Sequence, residues 1–363
     1  AVARGTSPRA TAARTRLRAQ SSIERGENRE RARADYNDEH RRPVQTGTGK
    51  TYMATVTEAT PARVAPRRGR VLRNETREAL WAYLFLLPNV ALVCVFTIFP
   101  VVAAFFLSFT RWDLLQPWRL IGLTNYQKLT TDPLFHQVLF NSVYFVAGTI
   151  PPQTILALVV AVGLNQKIRA LSIYRAAYFM PVVTSMVAVA MVWQWLYQPE
   201  FGVLNSLLKL VGISGPKWLF SDVWSMPSVI LVGVWKNVGY SIVIFLAALQ
   251  DVPEELHDAA KIDGAGTWQR FRSITIPMIT PAIFFVVVVS IIGSFQTFDS
   301  IYIMTQGGPA NATLVIVYYL YQYAFQFYQM GYAAAVGYVL FVILFAVTLV
   351  QWRLRRRWVY GEG

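Results

Sequence analysis

From Leu80 onward the chain alternates long apolar runs with short polar connectors. The runs are Leu80–Leu107, Asn141–Leu164, Ala177–Leu196, Pro227–Leu249, Pro277–Ile303 and Met330–Trp352. Each is near or above the ~20 residues that a helix needs to cross a ~30 Å hydrocarbon core. They are continuous rather than alternating, and too few to be the strands of a membrane barrel. The first is too long, and too far from the start, to be a removed signal segment. The pattern predicts an all-α polytopic membrane protein with six transmembrane helices over residues 80–352. Residues 1–79 precede it and residues 353–363 form a tail.

Composition agrees. Hydrophobic residues make up 54% of the 363 residues and charged residues 15%, against roughly a quarter charged in an ordinary soluble protein. The net charge is +14, and residues 1–79 hold 18 Lys and Arg against 9 Asp and Glu. That segment is poor in large apolar side chains, so it cannot offset its ordering entropy and is expected to be a disordered basic tail. A solvated tail at a membrane surface accounts for its charge. Nucleic-acid binding would need a fold or an aromatic platform, and neither is present. The stretch Gly47-Thr48-Gly49-Lys50-Thr51 lacks the first glycine of a phosphate loop, since that position is Val44. Met53, ahead of a short basic leader, marks an alternative start, with residues 1–52 then an upstream extension or artefact. The single cysteine, Cys94, excludes an intramolecular disulfide. The three histidines, His40, His136 and His257, are scattered, and no metal site is expected.

Lys and Arg bias sets the orientation. With the N-terminus in the cytoplasm, six spans return the C-terminus there. Cytoplasmic segments then hold the basic tail, Lys167, Arg169 and Arg175, then Lys261, Arg270 and Arg272, and finally Arg353, Arg355, Arg356 and Arg357. The outer loops hold fewer, and none falls in Thr305–Gln329. Trp112, Trp118, Trp195, Tyr197, Trp218 and Trp224 gather at the outer boundary, where amphipathic rings prefer to sit.

The connector between the fourth and fifth runs, residues 253–277, carries the clearest chemistry. Pro253 is placed to open a helix, and Glu254, Glu255 and Asp258 suit its N-terminal dipole. Gly264 and Gly266 can end it in a sharp turn. A second short segment, Trp268–Ile274, follows before Pro277. The result is a helix–turn–helix elbow with an apolar stripe of Leu256, Ala259, Ala260 and Ile262. From periodicity alone it reads as an interfacial amphipathic anchor.

Its spacing also resembles the EAA loop of ABC importer permeases, EAA-x3-G-x9-I-x-L-P. Asp258-Ala259-Ala260 stands for EAA, Gly264 follows, and Ile274-Thr275-Ile276-Pro277 closes the pattern. Asp for Glu and Ile276 for Leu are conservative departures. The Phe298–Pro309 stretch and Trp235-Lys236-Asn237-Val238-Gly239-Tyr240 also look like carbohydrate permeases, and the resemblance runs from Leu80 to Trp352. It is nearest to the first permease subunit of maltose-type importers and extends to glycerol-phosphate permeases. It implies a type I ABC importer permease fold. The elbow would be the coupling helix docking into an ATPase subunit, through Glu254, Glu255, Asp258, Ala259, Ala260, Asp263, Gly264, Ala265, Trp268, Arg270 and Phe271. The implied partners are a second permease, two ATPase subunits and an extracytoplasmic solute-binding protein. ATP and Mg would belong to the ATPase, and this chain would bind no cofactor.

Lys236 lies deep in the fourth run, where a charge is costly unless it faces protein or water. It is either a solute contact or a structurally paired side chain. The maltose permease's sugar contacts, carried onto matching positions, fall at Gly233, Lys236, Asn237, Tyr240, Ser290, Gly293 and Ser294. Tyr240 and Ser290 keep the residue type found there. Gln296 and Asp299 are further polar candidates nearby. Asn141, Gln153, Gln194 and Gln250 are equally explained by hydrogen bonds between helices. The expected solute is a sugar, with a glycerol-phosphate-type ester as the alternative. An intramembrane enzyme would need paired acids, a Ser/His pair or a metal set, which the runs lack.

Overall fold

The computed structural model describes residues 68–166 and 171–358. The chain divides into two compact units, Ala1–Asn74 and Glu75–Gly363. The expected disordered tail lies outside the described residues as far as residue 67. From Arg68 the chain is already helical, twelve positions ahead of the first apolar run. Hydropathy marks only the part of a helix suited to lipid, whereas Arg, Glu, Leu and Ala extend it upstream by propensity.

Helix α1 (Arg68–Val93) passes through a π-helical turn, Cys94–Ile98, into α2 (Phe99–Ser108). Pro100 has no amide for the carbonyl four residues back, and the ladder widens just ahead of it. A small antiparallel pair, β1 (Thr110–Arg111) and β2 (Arg119–Leu120), leads to α3 (Thr124–Thr131). Helix α4 (Pro133–Leu164) opens with Asp132 as N-cap, its carboxylate accepting from the Leu134 amide at 2.9 Å, and with Pro133 as first residue. At 1.5 Å per residue it is about 48 Å long.

The third run is not one straight span. Helices α5 (Leu171–Val183) and α6 (Met186–Leu196) meet at 96° across Thr184 and Ser185. Pro181 withholds an amide from the last turn of α5, which favours ending the helix there. After α7 (Val203–Leu210), α8 (Ser225–Gln250) crosses unbroken. The elbow consists of α9 (Glu254–Ile262), α10 (Thr267–Arg270), a π-helical turn Phe271–Thr275 and α11 (Ile276–Met278). A 61° bend separates α11 from α12 (Thr280–Phe295), where Pro281 again lacks an amide. The fifth run was expected to continue to Ile303. It stops at Phe295, and residues 299–304 form a separate short helix, α13 (Asp299–Met304). Helix α14 (Ile316–Tyr321) and α15 (Met330–Trp358) complete the chain. Among the described residues four helices are therefore long and apolar enough to cross a membrane unaided, and the spans number six when each of the two bent pairs is counted as one.

Two apolar cores form. One joins Phe145 of α4, Val189 and Ala190 of α6, Val229 and Val232 of α8, Phe295 of α12 and Ile301 of α13. The other, beside the elbow, joins Ala157 and Ala161 of α4, Ile242 and Phe245 of α8, and Val286 of α12. Helices α4, α8 and α12 contribute to both. The stretches between their two contributions hold the polar residues Thr149 and Gln153, Lys236, Asn237, Tyr240 and Ser241, and Ser290 and Ser294.

Candidate functional site

That polar band encloses a cavity of about 540 Å³. From α8 it is lined by Gly233, Lys236, Asn237 and Tyr240, and from α12 by Ser290, Gly293 and Ser294. Gln296 and Asp299 close its edge beyond α12. All nine positions singled out in the sequence thus face one space. The cavity also takes in Phe145, Thr149 and Gln153 of α4, Val182 and Met186 beside the break in the third span, and Phe298.

Some of these polar groups are already occupied. The Gln153 amide donates to Ser241 Oγ at 3.0 Å and Ser290 Oγ at 3.4 Å, tying α4 to α8 and α12. Asn237 donates back to the Gly233 carbonyl at 2.9 Å. Thr149 Oγ1 is buried without a hydrogen-bond partner. Asn141 and Gln194 also bond within the protein, to the carbonyls of Asn311 and Leu314 and of Ile303 and Met304 respectively. Tyr240, Gln296 and Asp299 are exposed toward the open side.

Lys236 resolves differently from a solute contact. Its ammonium donates to the carbonyls of Pro181 at 2.7 Å, Val182 at 2.9 Å and Thr184 at 2.8 Å. An ammonium has three donors, and all three are used. The last carbonyls of a helix have no partner of their own, and leaving them bare in hydrocarbon costs several kcal/mol each. The charge is therefore matched by backbone dipoles at the end of α5. Sequence reasoning could demand a partner for Lys236 but could not find this one, which lies more than fifty residues away.

The elbow is built from local rules. Pro253 is the N-cap of α9 and Glu254 and Glu255 fill its first turn. Asp263 is its C-cap and Gly264 follows at φ +79°. The Gly264 amide donates to Lys261 O at 3.1 Å and the Ala265 amide to Ala260 O at 2.8 Å. These two bonds make a Schellman turn, whose left-handed residue glycine adopts without strain. No residue of α9 is buried. Ile262 is 87% exposed and Trp268 71%, and Leu256 is also exposed. Of the expected apolar stripe, Leu256, Ala259 and Ile262 are therefore uncovered and Ala260 is half-buried. Trp268 packs against Phe271 with ring centroids 5.6 Å apart and the planes tilted by 34°. Lys261 donates to the Asp258 carboxylate at 2.7 Å, which holds that carboxyl below the usual carboxylate range.

A second cavity, about 570 Å³, lies between the elbow and the ends of α4 and α8. Glu254, Asp258, Arg270 and Phe271 line it, with Asn165, Gln166, His257 and Lys261. Glu255, Ala259, Asp263, Gly264 and Trp268 face outward, while Ala260 and Ala265 are half-buried. His257 was not among the sequence candidates. A lone histidine carries no spacing signal, and only the fold turns it inward.

A polytopic helical bundle with a polar mid-span cavity and an exposed helical elbow defines a membrane transport component. The chain belongs to the family of binding-protein-dependent transport system inner membrane components, which matches residues 137–360. It is 38% identical over 274 residues to a probable ABC transporter permease, YurN, of Bacillus subtilis (strain 168), covering 74% of this chain and 94% of that one. It is 35% identical over 281 residues to the lactose transport system permease LacF of Rhizobium radiobacter, covering 76% and 93%. It is also 34% identical over 286 residues to the arabinooligosaccharides transport system permease AraP of Bacillus subtilis (strain 168), covering 77% and 90%. The fold matches a chain of a bacterial ABC transporter for import of the acidic polysaccharide alginate, with a TM-score of 0.70 at 23% identity over 79% of this chain and 99% of that one.

Proposed function

We propose that this chain is one of two permease subunits of an ATP-driven importer, and that it conducts a neutral sugar delivered by an extracytoplasmic solute-binding protein. The observation that carries this reading is the convergence of α4, α8 and α12 on one polar cavity between two apolar cores. Its volume falls in the range of small-molecule sites, roughly 300–1,000 Å³. Hydroxyl and amide groups there suit sugar hydroxyls, and the exposed ring of Tyr240 suits a sugar's C–H face. The lactose and arabinooligosaccharide permeases among its relatives support the same solute class.

The alternative, a phosphate ester, needs a free cation. Lys236 is the one Lys or Arg lining the cavity among the described residues, and its donors are already given to carbonyls. Phosphate sites gather several charged donors, often Arg. In this reading ATP and Mg are held by partner ATPase subunits, this chain binds no cofactor, and both termini are cytoplasmic. The elbow, through the residues from Glu254 to Phe271, transmits ATPase closure to the spans. The test is solute-stimulated ATP hydrolysis by the reconstituted complex, with its binding protein, across lactose, maltose, arabinooligosaccharides and glycerol 3-phosphate. Stimulation by a neutral sugar is expected. Stimulation by glycerol 3-phosphate alone would overturn the reading.

A further inference from the structure

The third span is bent by 96°, so that α5 packs along α8 while α6 packs mainly on α13. The span is fastened to α8 at three points. In α5, the Tyr178 carbonyl lies so close to Gly239 of α8 that a Cβ at Gly239 would overlap it. At the far end of α6, the Tyr197 hydroxyl donates to the Ser228 carbonyl at 3.1 Å. At the break between them, Lys236 gathers three carbonyls, those of Pro181, Val182 and Thr184.

The break needs such a fastening. Thr184 and Ser185 are not helical, and the Ser185 side chain makes no cap bond to α6. Pro181 brings no amide of its own. Irregular backbone at membrane depth is tolerated only where something re-satisfies its polar groups. Val182 and Met186, on either side of the break, are also walls of the polar cavity. Whatever holds the break therefore holds that wall.

We propose that Lys236 is a positioning residue that pins the break in the third span to α8 and so sets the width of the cavity. It acts on solute through Val182 and Met186, and it does not neutralise solute charge. The inference rests on the cavity being the solute path, but the geometry it predicts can be measured without any solute.

The test uses the whole complex, with partner permease, ATPase and binding protein, in lipid nanodiscs. Cys94, exposed and otherwise reactive, is replaced by serine. Nitroxides are placed at Ile173→Cys on α5 and Met191→Cys on α6, both exposed positions. The parent should give one narrow distance distribution. Lys236→Met should broaden it roughly twofold as three charge-assisted bonds vanish. Lys236→Arg, which can still donate to the same carbonyls, should restore it. An unchanged distribution in Lys236→Met overturns the proposal. If that variant does not assemble, Lys236→Gln, with two donors, carries the same comparison.

Solute preference is read in parallel with maltose and maltotriose. In Lys236→Met the ratio of their stimulated ATPase activities should move toward one, because a loose wall discriminates length poorly. A uniform rise in the half-maximal concentration of both sugars, with narrow distances kept, would instead make Lys236 a solute contact. If the parent responds to neither sugar, the proposed solute class fails while the distance measurement still decides the clamp.

Discussion

The elbow and the mid-span cavity hold polar and apolar groups in opposite states. In the elbow the backbone is satisfied by its own turn, while large apolar side chains such as Ile262 and Trp268 stand in the open. In the cavity the apolar groups are packed into two cores, while polar groups from three helices surround an open space. An exposed Ile and an exposed Trp on the two sides of a turn suit a surface that a protein partner covers. A polar space between cores is the chemistry of a small solute. In the proposed function these two regions are a macromolecular contact and a solute site, joined by α8, α12 and the 61° bend between α11 and α12.

The largest effect is expected where the cavity's scaffold is tightest. Gly239→Ala forces a Cβ onto the Tyr178 backbone carbonyl, which cannot rotate away as a side chain would. Overpacking of this kind costs about 3 kcal/mol, at the upper end of the usual range. Thermal unfolding of the purified complex should show a clear loss. An unchanged transition would mean that α5 and α8 are not in this backbone contact, and the contrast between a tight scaffold and an open elbow would fail.

On the elbow side, Gly264→Val tests conformation rather than space. Nothing lies within 4 Å of a Cβ at Gly264, so there is no clash. The strain comes from φ +79°, which costs an L-residue about 1–2 kcal/mol and a β-branched one more. Membrane insertion should survive, while uptake and solute-stimulated ATPase fall roughly tenfold, the factor that 1.4 kcal/mol represents. Gly264→Asn, a residue that tolerates the left-handed region, should keep most activity. Normal coupling in the valine variant would remove the elbow from the transmission path.

A smaller change is expected from Tyr240→Ala. The residue is 45% exposed, lines the cavity and belongs to neither core. Losing one aromatic face should weaken sugar binding by about 1 kcal/mol, or about fivefold in half-maximal concentration, with stability unchanged. A stability loss without an affinity change would make Tyr240 a packing residue and would blur the division between cavity and core.

The two regions were not equally legible in the sequence. The elbow is written in contiguous residues: a proline N-cap, acids in the first turn, a glycine at the C-terminal turn. Local rules read such features directly, and the helix Glu254–Ile262 and the turn at Gly264 follow from them. The seven α8 and α12 positions came from a resemblance and Gln296 and Asp299 from their polarity nearby, and the structure brings all nine to one space. Thr149 and Gln153 were not read as cavity residues. A polar side chain on an apolar helix looks the same whether it bonds a neighbouring helix or faces a hole. The break at Thr184–Ser185 was invisible because two small polar residues barely lower the hydropathy of a long run. The end of the fifth run at Phe295 was hidden for the same reason, since Gln296, Thr297 and Asp299 are flanked by Phe and Ile.

The smallest effect concerns the charges of the elbow. Asp258 and Lys261 form an exposed pair at 2.7 Å, and the carboxyl is held below its ordinary value of 3.8, chiefly by the Lys261 hydrogen bond. A carboxyl lowered in the folded state contributes above its unfolded pKa, and the contribution is lost as pH falls through the lowered folded value. Between pH 6 and 8 the Asp258 carboxyl therefore stays charged, and it should add no slope to stability or to ATPase coupling there. Exposed pairs are screened by water and salt, so Asp258→Asn should leave the thermal transition where it is. What it removes is a negative charge near the start of α9, on a surface that the proposed function assigns to the ATPase partner. The measurement is co-purification of the ATPase with the Asp258→Asn permease as salt is raised. A complex that comes apart at lower salt, with unchanged melting of the permease, would sharpen the contrast: the elbow's polar groups serve a partner, whereas those of the cavity serve the fold and the solute. A shifted melting transition with unchanged assembly would break it, because the elbow would then be spending its charges on its own stability.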